Sequence, residues 1–222
     1  MRNRKKKIYV ICPFPQSEAA GQRLKYEQYF KQWNDEGFEI TVSCFMDLPL
    51  WAVVYTKGHY IQKILGVLRG YSRRFLDLFA IHKADIVYVF MWGTPFGSSL
   101  YERILQLLSK KVIYDIEDNV MMEQKNSLNP ITRFLRGTGK TNFLIKSSDH
   151  VITSSPFLNE YAADLNALNQ ATYISSSINT NIFVPLNNPL SNQPVVLGWT
   201  GTFSSKEYLD LLTPILIKLA RK

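Results

Sequence analysis

Residues Lys7-Ile8-Tyr9-Val10-Ile11-Cys12 form a short apolar run rich in β-branched and aromatic side chains, which predicts a buried strand. A loop that opens with Pro13-Phe14-Pro15 follows the run, and a helical pattern begins at Gly21. This helix, predicted over Gly21–Glu36, carries aromatic side chains at positions i, i+3, i+4 and i+7, and Gly37 ends it. A strand, a loop and a helix in this order are the repeating unit of a parallel α/β sheet.

Apolar runs of the same kind alternate with helical patterns along the rest of the chain. Further helices are predicted over Pro95–Ser109 and from Ser155-Pro156, where serine can cap and proline can occupy the first turn. The predicted strands are Lys7–Cys12, Glu39–Phe45, Ala84–Phe90, Lys111–Tyr114, His150–Thr153, Ala171–Ile174 and Val195–Trp199. The alternation predicts an α/β fold with a Rossmann-like parallel sheet and helices on both faces.

The composition changes after residue 177. Asn, Pro and Ser dominate Ile178–Pro194, and the helical period is lost there, which predicts a linker. We therefore expect an N-terminal Rossmann-like domain over residues 1–177, a linker over 178–193 and the start of a second domain over 194–222. One strand, one turn and one helix cannot bury a sheet face alone, so we expect this chain to be unfinished or completed by a partner.

The overall charge favours acidic partners. The 222 residues include 26 Lys and Arg against 18 Asp and Glu, which gives a formal charge of +8 and a pI of about 9.4. Nucleic acid, an anionic membrane surface and phosphate-bearing substrates all fit this balance. No apolar run is long enough to cross a membrane, and both cysteines lie in strand-like runs. We expect a cytoplasmic protein with reduced thiols.

The loop that follows the first predicted strand is the first candidate site. In a doubly wound sheet ligands bind at the carboxyl ends of the strands, and this loop lies there. Gly21 allows a phosphate or a sugar to approach backbone N–H groups, and Arg23 offers a charged fork. The alternative is an ordinary connection with a glycine at the start of its helix.

Acidic residues cluster at the end of another predicted strand, in Tyr114-Asp115-Ile116-Glu117-Asp118-Asn119. Carboxylates packed at one strand end repel one another, so the cluster indicates substrate hydroxyls, a cation or general-base chemistry. The alternative is that Asp115 and Asp118 cap the segment that follows. The sequence does not decide between the two interpretations.

The third candidate is the turn Gly198-Trp199-Thr200-Gly201-Thr202-Phe203-Ser204-Ser205. A strand that runs into a turn of Gly, Thr and Ser at the start of a helix offers backbone amides and hydroxyls to a diphosphate. The alternative is a plain helix capped by Ser204 or Ser205.

The segment Tyr55–Phe79 combines an apolar stripe with many basic residues. Basic amphipathic helices bind membrane surfaces, and the candidates for membrane contact are Lys63, Arg69, Arg73 and Arg74. The alternative is that the stripe packs in the core and the basic side chains are solvated. The segment Arg136–Thr141 lacks the first glycine of a phosphate-binding loop, and the three histidines have no metal-site spacing, so no metal is expected.

Taken in order, these motifs resemble a bacterial family-4 glycosyltransferase of the GT-B fold. The resemblance covers nearly the whole chain, and the order and spacing of the motifs are more specific than any one of them. The motifs that carry it are Pro13-Phe14-Pro15, Gly21-Gln22-Arg23, Tyr114–Asn119, Ser148–Leu158, Ile178-Asn179-Thr180 and Leu197–Thr202.

The resemblance implies two Rossmann-like domains that face a cleft, with the acceptor on the first and a nucleotide-sugar donor on the second. It implies transfer with retention of configuration and without a metal or another cofactor, because basic residues, helix ends and backbone amides stabilise the departing diphosphate. The implied site residues are Glu117 and Asp118 for catalysis, Gly21, Gln22, Arg23 and Asp115 for the acceptor and the cleft, and Gly201, Thr202 and Ser204 for the donor diphosphate.

The chain departs from the family pattern in two places. Many members have a His-Asp pair where this chain has Glu117-Asp118, and the Glu-x7-Glu motif of the donor domain would lie beyond Lys222. We therefore expect a glycosyltransferase fragment, inactive alone, that acts on a cell-envelope glycan or a lipid-linked acceptor. The alternatives are a non-catalytic membrane-docking subunit completed by a separate donor-binding chain and, ranked last, a nucleic-acid-binding protein.

Overall fold

A six-stranded parallel sheet forms the core of the first of two units in the computed structural model. The structure describes residues 4–117, 139–185, 197–199 and 209–220. Contacts within the chain divide it into Met1–Phe183 and Val184–Lys222. The strands are β1 Lys6–Cys12, β2 Phe38–Cys44, β3 Ile86–Phe90, β4 Val112–Ile116, β5 His150–Thr153 and β6 Ala171–Tyr173. The six strands predicted before residue 178 are confirmed, each within two residues at either end.

The strand order across the sheet is β2-β1-β3-β4-β5-β6, and every neighbouring pair is parallel. β1 lies between β2 and β3, with Ile8 opposite Ile40 of β2 on one side and Ile86 of β3 on the other. The order reverses between β1 and β3, which makes this the switch point of the sheet. The Rossmann-like α/β fold predicted from the sequence is confirmed.

The α-helices are shorter than the sequence patterns predict. Their bounds are α1 Ala20–Lys25, α2 Phe30–Asp35, α3 Leu48–Val54, α4 Tyr60–Ile81, α5 Leu100–Leu108, α6 Gly139–Ser147, α7 Pro156–Leu165 and α8 Thr213–Ala220. Ser155 caps α7 through a hydrogen bond from the Leu158 N–H, as predicted. No helix in the described ranges is long and apolar enough to cross a membrane.

The helix predicted over Gly21–Glu36 is broken at Tyr26 and continues through a 3₁₀ turn over Glu27–Tyr29 into α2. Neighbouring residues of an unbroken α-helix point about 100° apart, so only one of two can face the sheet squarely. The break allows Lys25 and Tyr26 both to be buried. The Tyr26 ring packs 5.1 Å from the ring of Phe90.

Side chains of each strand alternate between two apolar cores, one on each face of the sheet. On one face Ile11, Val89 and Tyr114 pack in a core that also takes in Leu105 of α5 and Leu144 of α6. On the other face the strand residues pack with α1 and α2, and this core contains Val10, Cys12, Tyr26, Tyr88 and Phe90. Helices therefore cover both faces, as predicted.

The apolar stripe of α4 faces away from the sheet, so the alternative interpretation of this segment, packing of the stripe in the core, is wrong. We call this surface the outer face of α4, and its members are Ile61, Ile64, Leu65, Leu68, Phe75, Leu76 and Phe79, each at least 50% exposed. At 100° per residue they fall within an arc of about 120°. The buried side of α4 carries Gly66, Gly70, Arg74, Asp77 and Ile81.

The two glycines explain which side of α4 turns inwards. A Cβ at Gly66 would lie 2.8 Å from a methyl carbon of Leu50 in α3, and a Cβ at Gly70 would lie 2.6 Å from the Phe45 ring. Leu50 and Phe45 are each only 1% exposed. Small residues four positions apart therefore let α3 and the segment before it approach the α4 backbone more closely than larger side chains would allow.

Replacing Gly70 by alanine is expected to destabilise the protein by about 1–3 kcal/mol, because the buried Phe45 ring must move to make room for the methyl group. Urea unfolding monitored by circular dichroism measures this difference. Gly139→Ala is the matched control, because nothing lies within 4 Å of a Cβ at that helical position. Equal stability of the two variants would contradict the close packing of Phe45 on α4.

The second unit is described only in part. Its described residues are 184–185, 197–199 and 209–220, and within them α8 spans Thr213–Ala220. The strand predicted over Val195–Trp199 lies partly outside the described residues, and its described part, Leu197–Trp199, is not in a strand. A strand requires a hydrogen-bonded neighbour, and none is present in the described part of this unit.

Candidate functional site

The carboxyl ends of β1, β3 and β4 lie side by side at one edge of the sheet. After β1 the chain continues into α1, which packs on one face, and after β3 it continues towards α5 on the other face. Loops that leave the sheet in opposite directions open a crevice, and open α/β sheets bind ligands in such crevices. This edge is therefore the candidate functional site.

Gln22 fixes the loop that connects β1 to α1. Its Oε1 atom accepts a hydrogen bond from the Phe14 N–H at 3.0 Å, and its Nε2 atom donates to the Phe14 carbonyl at 3.0 Å. Nε2 also donates to Glu27 Oε1 at 3.1 Å. Gln22 is fully buried, so its predicted place as a cleft residue is wrong. The side of α1 that carries Gln22 packs on the β1–α1 loop, and Gln22 holds this loop in position.

Gly21 and Glu117 meet where the start of α1 approaches the end of β4. A Cβ at position 21 would overlap the Glu117 carboxylate, so a larger residue there would displace this side chain from the Gly21 backbone. Ser176 Oγ donates a hydrogen bond to Glu117 Oε1 at 3.2 Å, and Ser154 Oγ donates to the Glu117 carbonyl. The segments of Gly21, Ser154 and Ser176 thus surround Glu117, whose half-buried carboxylate lies against the backbone of Gly21. A carboxylate in this setting can accept hydrogen bonds from sugar hydroxyls or take up a proton.

Asp115 lies beneath Glu117 in a buried cluster with Lys25 and Tyr88. The Lys25 and Asp115 side chains are each 1% exposed, and Lys25 Nζ lies 3.5 Å from Asp115 Oδ1. The Tyr88 hydroxyl donates to Asp115 Oδ2, and Lys25 Nζ also donates to the Ile174 carbonyl. Asp115 does not face the crevice, contrary to its predicted place there, because its side of β4 is covered by α1. The cluster ties α1 to β4 and to the chain after β6.

Burial is the main cause that raises the pKa of Asp115 to about 6, against the opposing pull of Lys25 and of the Tyr88 hydroxyl. Asp115 Oδ1 has no hydrogen bond from the described residues, so the ion pair only partly replaces the lost water. Burial, followed by the neighbouring carboxylate, raises the pKa of Tyr88 well above its usual value. Its hydroxyl therefore remains a donor at neutral pH.

An aromatic cluster beside the crevice was not singled out from the sequence. The Phe14 ring lies 5.2 Å from the ring of Trp51 and 6.4 Å from that of Trp92, and Trp92 lies 5.6 Å from Phe45. Phe14 and both tryptophans are half-buried. The sequence signal was an aromatic residue at the first or second position after each of β1, β2 and β3. Aromatic faces of this kind stack on apolar or cationic parts of a ligand.

The backbone also changes direction sharply at this cluster. Met91, the first residue after β3, has a φ of 58°, in the left-handed region that side chains of its kind rarely adopt. Its carbonyl accepts a hydrogen bond from the Tyr114 hydroxyl at 2.8 Å, and its N–H donates to the Asp115 carbonyl at 2.9 Å. These bonds hold the turn that carries Trp92 to the crevice.

A shallow cleft of about 730 Å³ opens on the other side of the β1–α1 loop, towards β2. Its lining residues include Pro15, Gln16, Glu18, Cys44, Asp47 and Arg73. The cleft has carboxylates from three segments, Glu18, Asp47 and Asp77, and one guanidinium on its wall. Its size and polarity suit a hydrated polar group such as a sugar.

Arg74 lies under this cleft and is buried, so its predicted place on a membrane-facing surface is wrong. Its guanidinium donates to the carbonyls of Cys12 at 2.7 Å and Gly93 at 2.6 Å. It also pairs with Asp77 at 2.8 Å and bonds Ser43 Oγ at 3.0 Å. The fork of the guanidinium needs several acceptors at once, and the ends of β1, β2 and the loop after β3 supply them.

The other three basic residues predicted to face a membrane make contacts within the protein. Arg73 donates to the Cys44 carbonyl, Arg69 pairs with Asp47 at 3.0 Å, and Lys63 donates to a carbonyl just before α4. None of them lies within the arc of the outer face of α4. The apolar side chains of this helix, rather than its cations, therefore form its most exposed surface.

The remaining predicted site residues are not brought together by the described structure. Arg23 is exposed on α1. Asp118, Gly201, Thr202 and Ser204 lie outside the described residues. Within the described ranges, no three or more His, Cys, Asp or Glu side chains come close enough to hold a metal ion.

Comparisons with known proteins add no family to this description. A scan against protein-family models finds no match to the chain, and a search of curated proteins finds no significant relative. The arguments about function therefore depend on the residues and on their geometry.

Proposed function

We propose that this chain supplies the acceptor-binding half of a retaining glycosyltransferase. The observation that carries the proposal is the contact between Gly21 and Glu117 at the carboxyl edge of the sheet, next to the switch point. The fold, this edge and the order of the sequence motifs agree with the resemblance to family-4 glycosyltransferases. The donor would be a nucleotide-sugar, and the acceptor a cell-envelope glycan or a lipid-linked sugar at the cytoplasmic side of the membrane.

Glu117 is assigned the contact with the acceptor or the reacting sugar. It is half-buried, and Ser176 and the Ser154 hydroxyl hold its side chain and its backbone. A carboxylate held in this way can orient an acceptor hydroxyl and accept its proton as the new bond forms. The Glu117 carboxylate packs directly on the Gly21 backbone, and the aromatic cluster around Trp92 offers a stacking surface.

The test begins with the codons that follow Lys222, because the proposal assigns donor binding to a second domain. The product of the complete reading frame is incubated with radiolabelled nucleotide-sugars and a membrane lipid extract, and the label in the lipid and polymer fractions is counted. We expect transfer by that product and none by the 222-residue chain alone. Transfer by this chain alone, or by neither protein with any donor, would contradict the proposal.

The role of Glu117 is tested in the same assay. Glu117→Gln is expected to lower the rate of transfer by about 10²–10⁴-fold, because the amide cannot accept the proton. Glu160→Gln is the matched control, since Glu160 is an exposed carboxylate of α7 and does not line the cleft or the crevice. Similar rates for both variants would remove Glu117 from the reaction.

The alternative function is a membrane-docking subunit that binds an acceptor without catalysis. The outer face of α4 favours it, because the helix exposes large apolar side chains along its length. Dependence of transfer on a separately encoded donor-binding chain would separate this alternative from a single-chain enzyme.

A further inference from the structure

The two cysteines of the chain, Cys12 and Cys44, lie in contact at the carboxyl edge of the sheet. They are the last residues of β1 and β2 and stand directly opposite each other in the pairing of these strands. Side chains at paired positions of neighbouring strands leave the sheet on the same face. The Cys12 thiol accordingly donates to the Cys44 sulfur, at a distance of 3.6 Å between the two Sγ atoms. Both cysteines are free, so the pair is a dithiol.

A disulfide between Cys12 and Cys44 fits the spacing of the strands. Neighbouring strands lie about 4.8 Å apart, which is within the range of about 4.4–6.8 Å between the Cα atoms of bridged cysteines. The sulfurs must approach to about 2 Å, and rotation about the Cα–Cβ bonds brings them together. The Phe45 N–H donates to the Cys12 carbonyl at 2.8 Å, and this backbone bond can persist when the sulfurs move.

The two thiols differ in their access to solvent. Cys44 is half-buried and lines the cleft beside the β1–α1 loop, whereas Cys12 is fully buried behind it. A small reagent that enters the cleft therefore meets the Cys44 sulfur first. The Cys12 sulfur is placed to react only with a group that has already formed on Cys44.

The surroundings of the pair favour a thiolate on Cys44. The hydrogen bond from Cys12 is the main cause that lowers the pKa of the Cys44 thiol, and it outweighs the opposing effect of burial. The same bond, followed by burial, raises the pKa of Cys12 well above its usual value. The Arg74 guanidinium also favours the charged form of Cys44, and Arg73 donates to the Cys44 carbonyl. Reactive cysteines lie in positively charged, partly exposed surroundings of this kind, because the thiolate is the nucleophile.

We propose that Cys12 and Cys44 form a redox-sensitive site, which a peroxide converts reversibly to a disulfide. The Cys44 thiolate attacks one oxygen of the peroxide and breaks the O–O bond, which leaves a sulfenic acid on Cys44 and a hydroxide that takes up a proton. The Cys12 sulfur then attacks the Cys44 sulfur and breaks the S–O bond, and the leaving hydroxide takes the Cys12 proton.

In sum the two thiols lose two electrons and two protons, and hydrogen peroxide is reduced to two waters. The product joins the ends of β1 and β2 covalently and removes the thiolate from the wall of the cleft. The proposal is independent of sugar transfer, because it rests on the two thiols and their surroundings alone.

The test is oxidation of the purified 222-residue chain by a small excess of hydrogen peroxide, followed by blocking of the remaining thiols with N-ethylmaleimide. We expect both thiols to be lost, and proteolytic peptides to appear that are linked through Cys12 and Cys44 with a mass about 2 Da below that of the separate peptides. Dithiothreitol is expected to restore both thiols. Retention of both thiols, or a disulfide between two chains on a non-reducing gel, would overturn the proposal.

Two matched variants test the order of the steps. Cys12→Ala is expected to form a sulfenic acid on Cys44 that dimedone traps, because the thiol that resolves it is absent. Cys44→Ala is expected to lose its remaining thiol about tenfold more slowly or less, because Cys12 is buried and protonated. Circular dichroism checks the fold of both variants, and the linked peptide of the unmodified chain needs neither of them. Equal reactivity of the two cysteines would overturn the assignment of Cys44 as the attacking thiol.

Discussion

Unfolding of an Arg74→Met variant is expected to require about 3–5 kcal/mol less free energy than unfolding of the unmodified chain. Arg74 is 1% exposed and donates to the carbonyls of Cys12 and Gly93. Its removal takes a donor from both carbonyls, of which the Cys12 carbonyl keeps the Phe45 N–H. Asp77 would also remain buried without its counter-charge. Denaturation in urea, followed by tryptophan fluorescence and circular dichroism, measures the loss.

Two further variants separate the causes of this loss. Arg69→Met removes a cation of the same helix whose pair with Asp47 is half-exposed, and exposed pairs contribute only about 0–1 kcal/mol. Arg74→Lys keeps the charge but loses the fork, so most of the destabilisation is expected to persist. A stable Arg74→Met variant, or full recovery by lysine, would contradict the role of the guanidinium as the link between β1, β2 and the loop after β3.

The second large effect is expected at Lys25, and it depends on pH. Lys25→Met is expected to destabilise the protein by about 3–5 kcal/mol at pH 8, because Asp115 is then a buried charge without its cation. Near pH 4.5 the loss is expected to be smaller, because Asp115 is protonated in the folded chain of both proteins. Urea unfolding of the two proteins at a series of pH values measures the difference.

The sign of this dependence follows from the pKa of Asp115. Its folded value of about 6 lies above the ordinary 3.8, so the folded chain keeps a proton that the unfolded chain releases between them. Asp115 therefore contributes stability below pH 3.8 that is lost as the pH rises through 6, and Lys25→Met extends the loss to higher pH. In an Asp115→Asn background the Lys25→Met effect is expected to lose its pH dependence. A dependence that persists there would show that another group titrates.

The strands could be predicted because each is a short run of Val, Ile and Tyr, a pattern that depends on local sequence alone. Parallel topology brings strand ends together at one edge of a sheet, which explains why the segments of Gly21 and Glu117 meet. The residues alone gave two separate candidate sites, and only the resemblance to family-4 glycosyltransferases implied one cleft.

The buried charges could not be predicted, because their partners come from distant segments. The side of α4 that faces the sheet is selected in part by hydrogen bonds from Arg74 to the carbonyls of Cys12 and Gly93. Every residue has a backbone carbonyl, so the sequence does not indicate which ones accept these bonds. The stripe pattern shows that a helix has two sides but does not show which one faces the sheet. Lys25 had a weak signal, because it lies four residues before Tyr29 of the aromatic stripe.

The orientation of α4 also has a consequence for the way in which the chain folds. During collapse an amphipathic helix first buries its apolar side, and for α4 this is the side that is exposed in the native protein. The native side gains its advantage only when Ser43 and the chain after β3, which contains Gly93, have come together around Arg74. Local preference and final structure therefore disagree at this helix, which is the condition for a kinetic trap. A binding partner that covered the apolar side of α4 during synthesis would keep that side out of the core and so remove the trap.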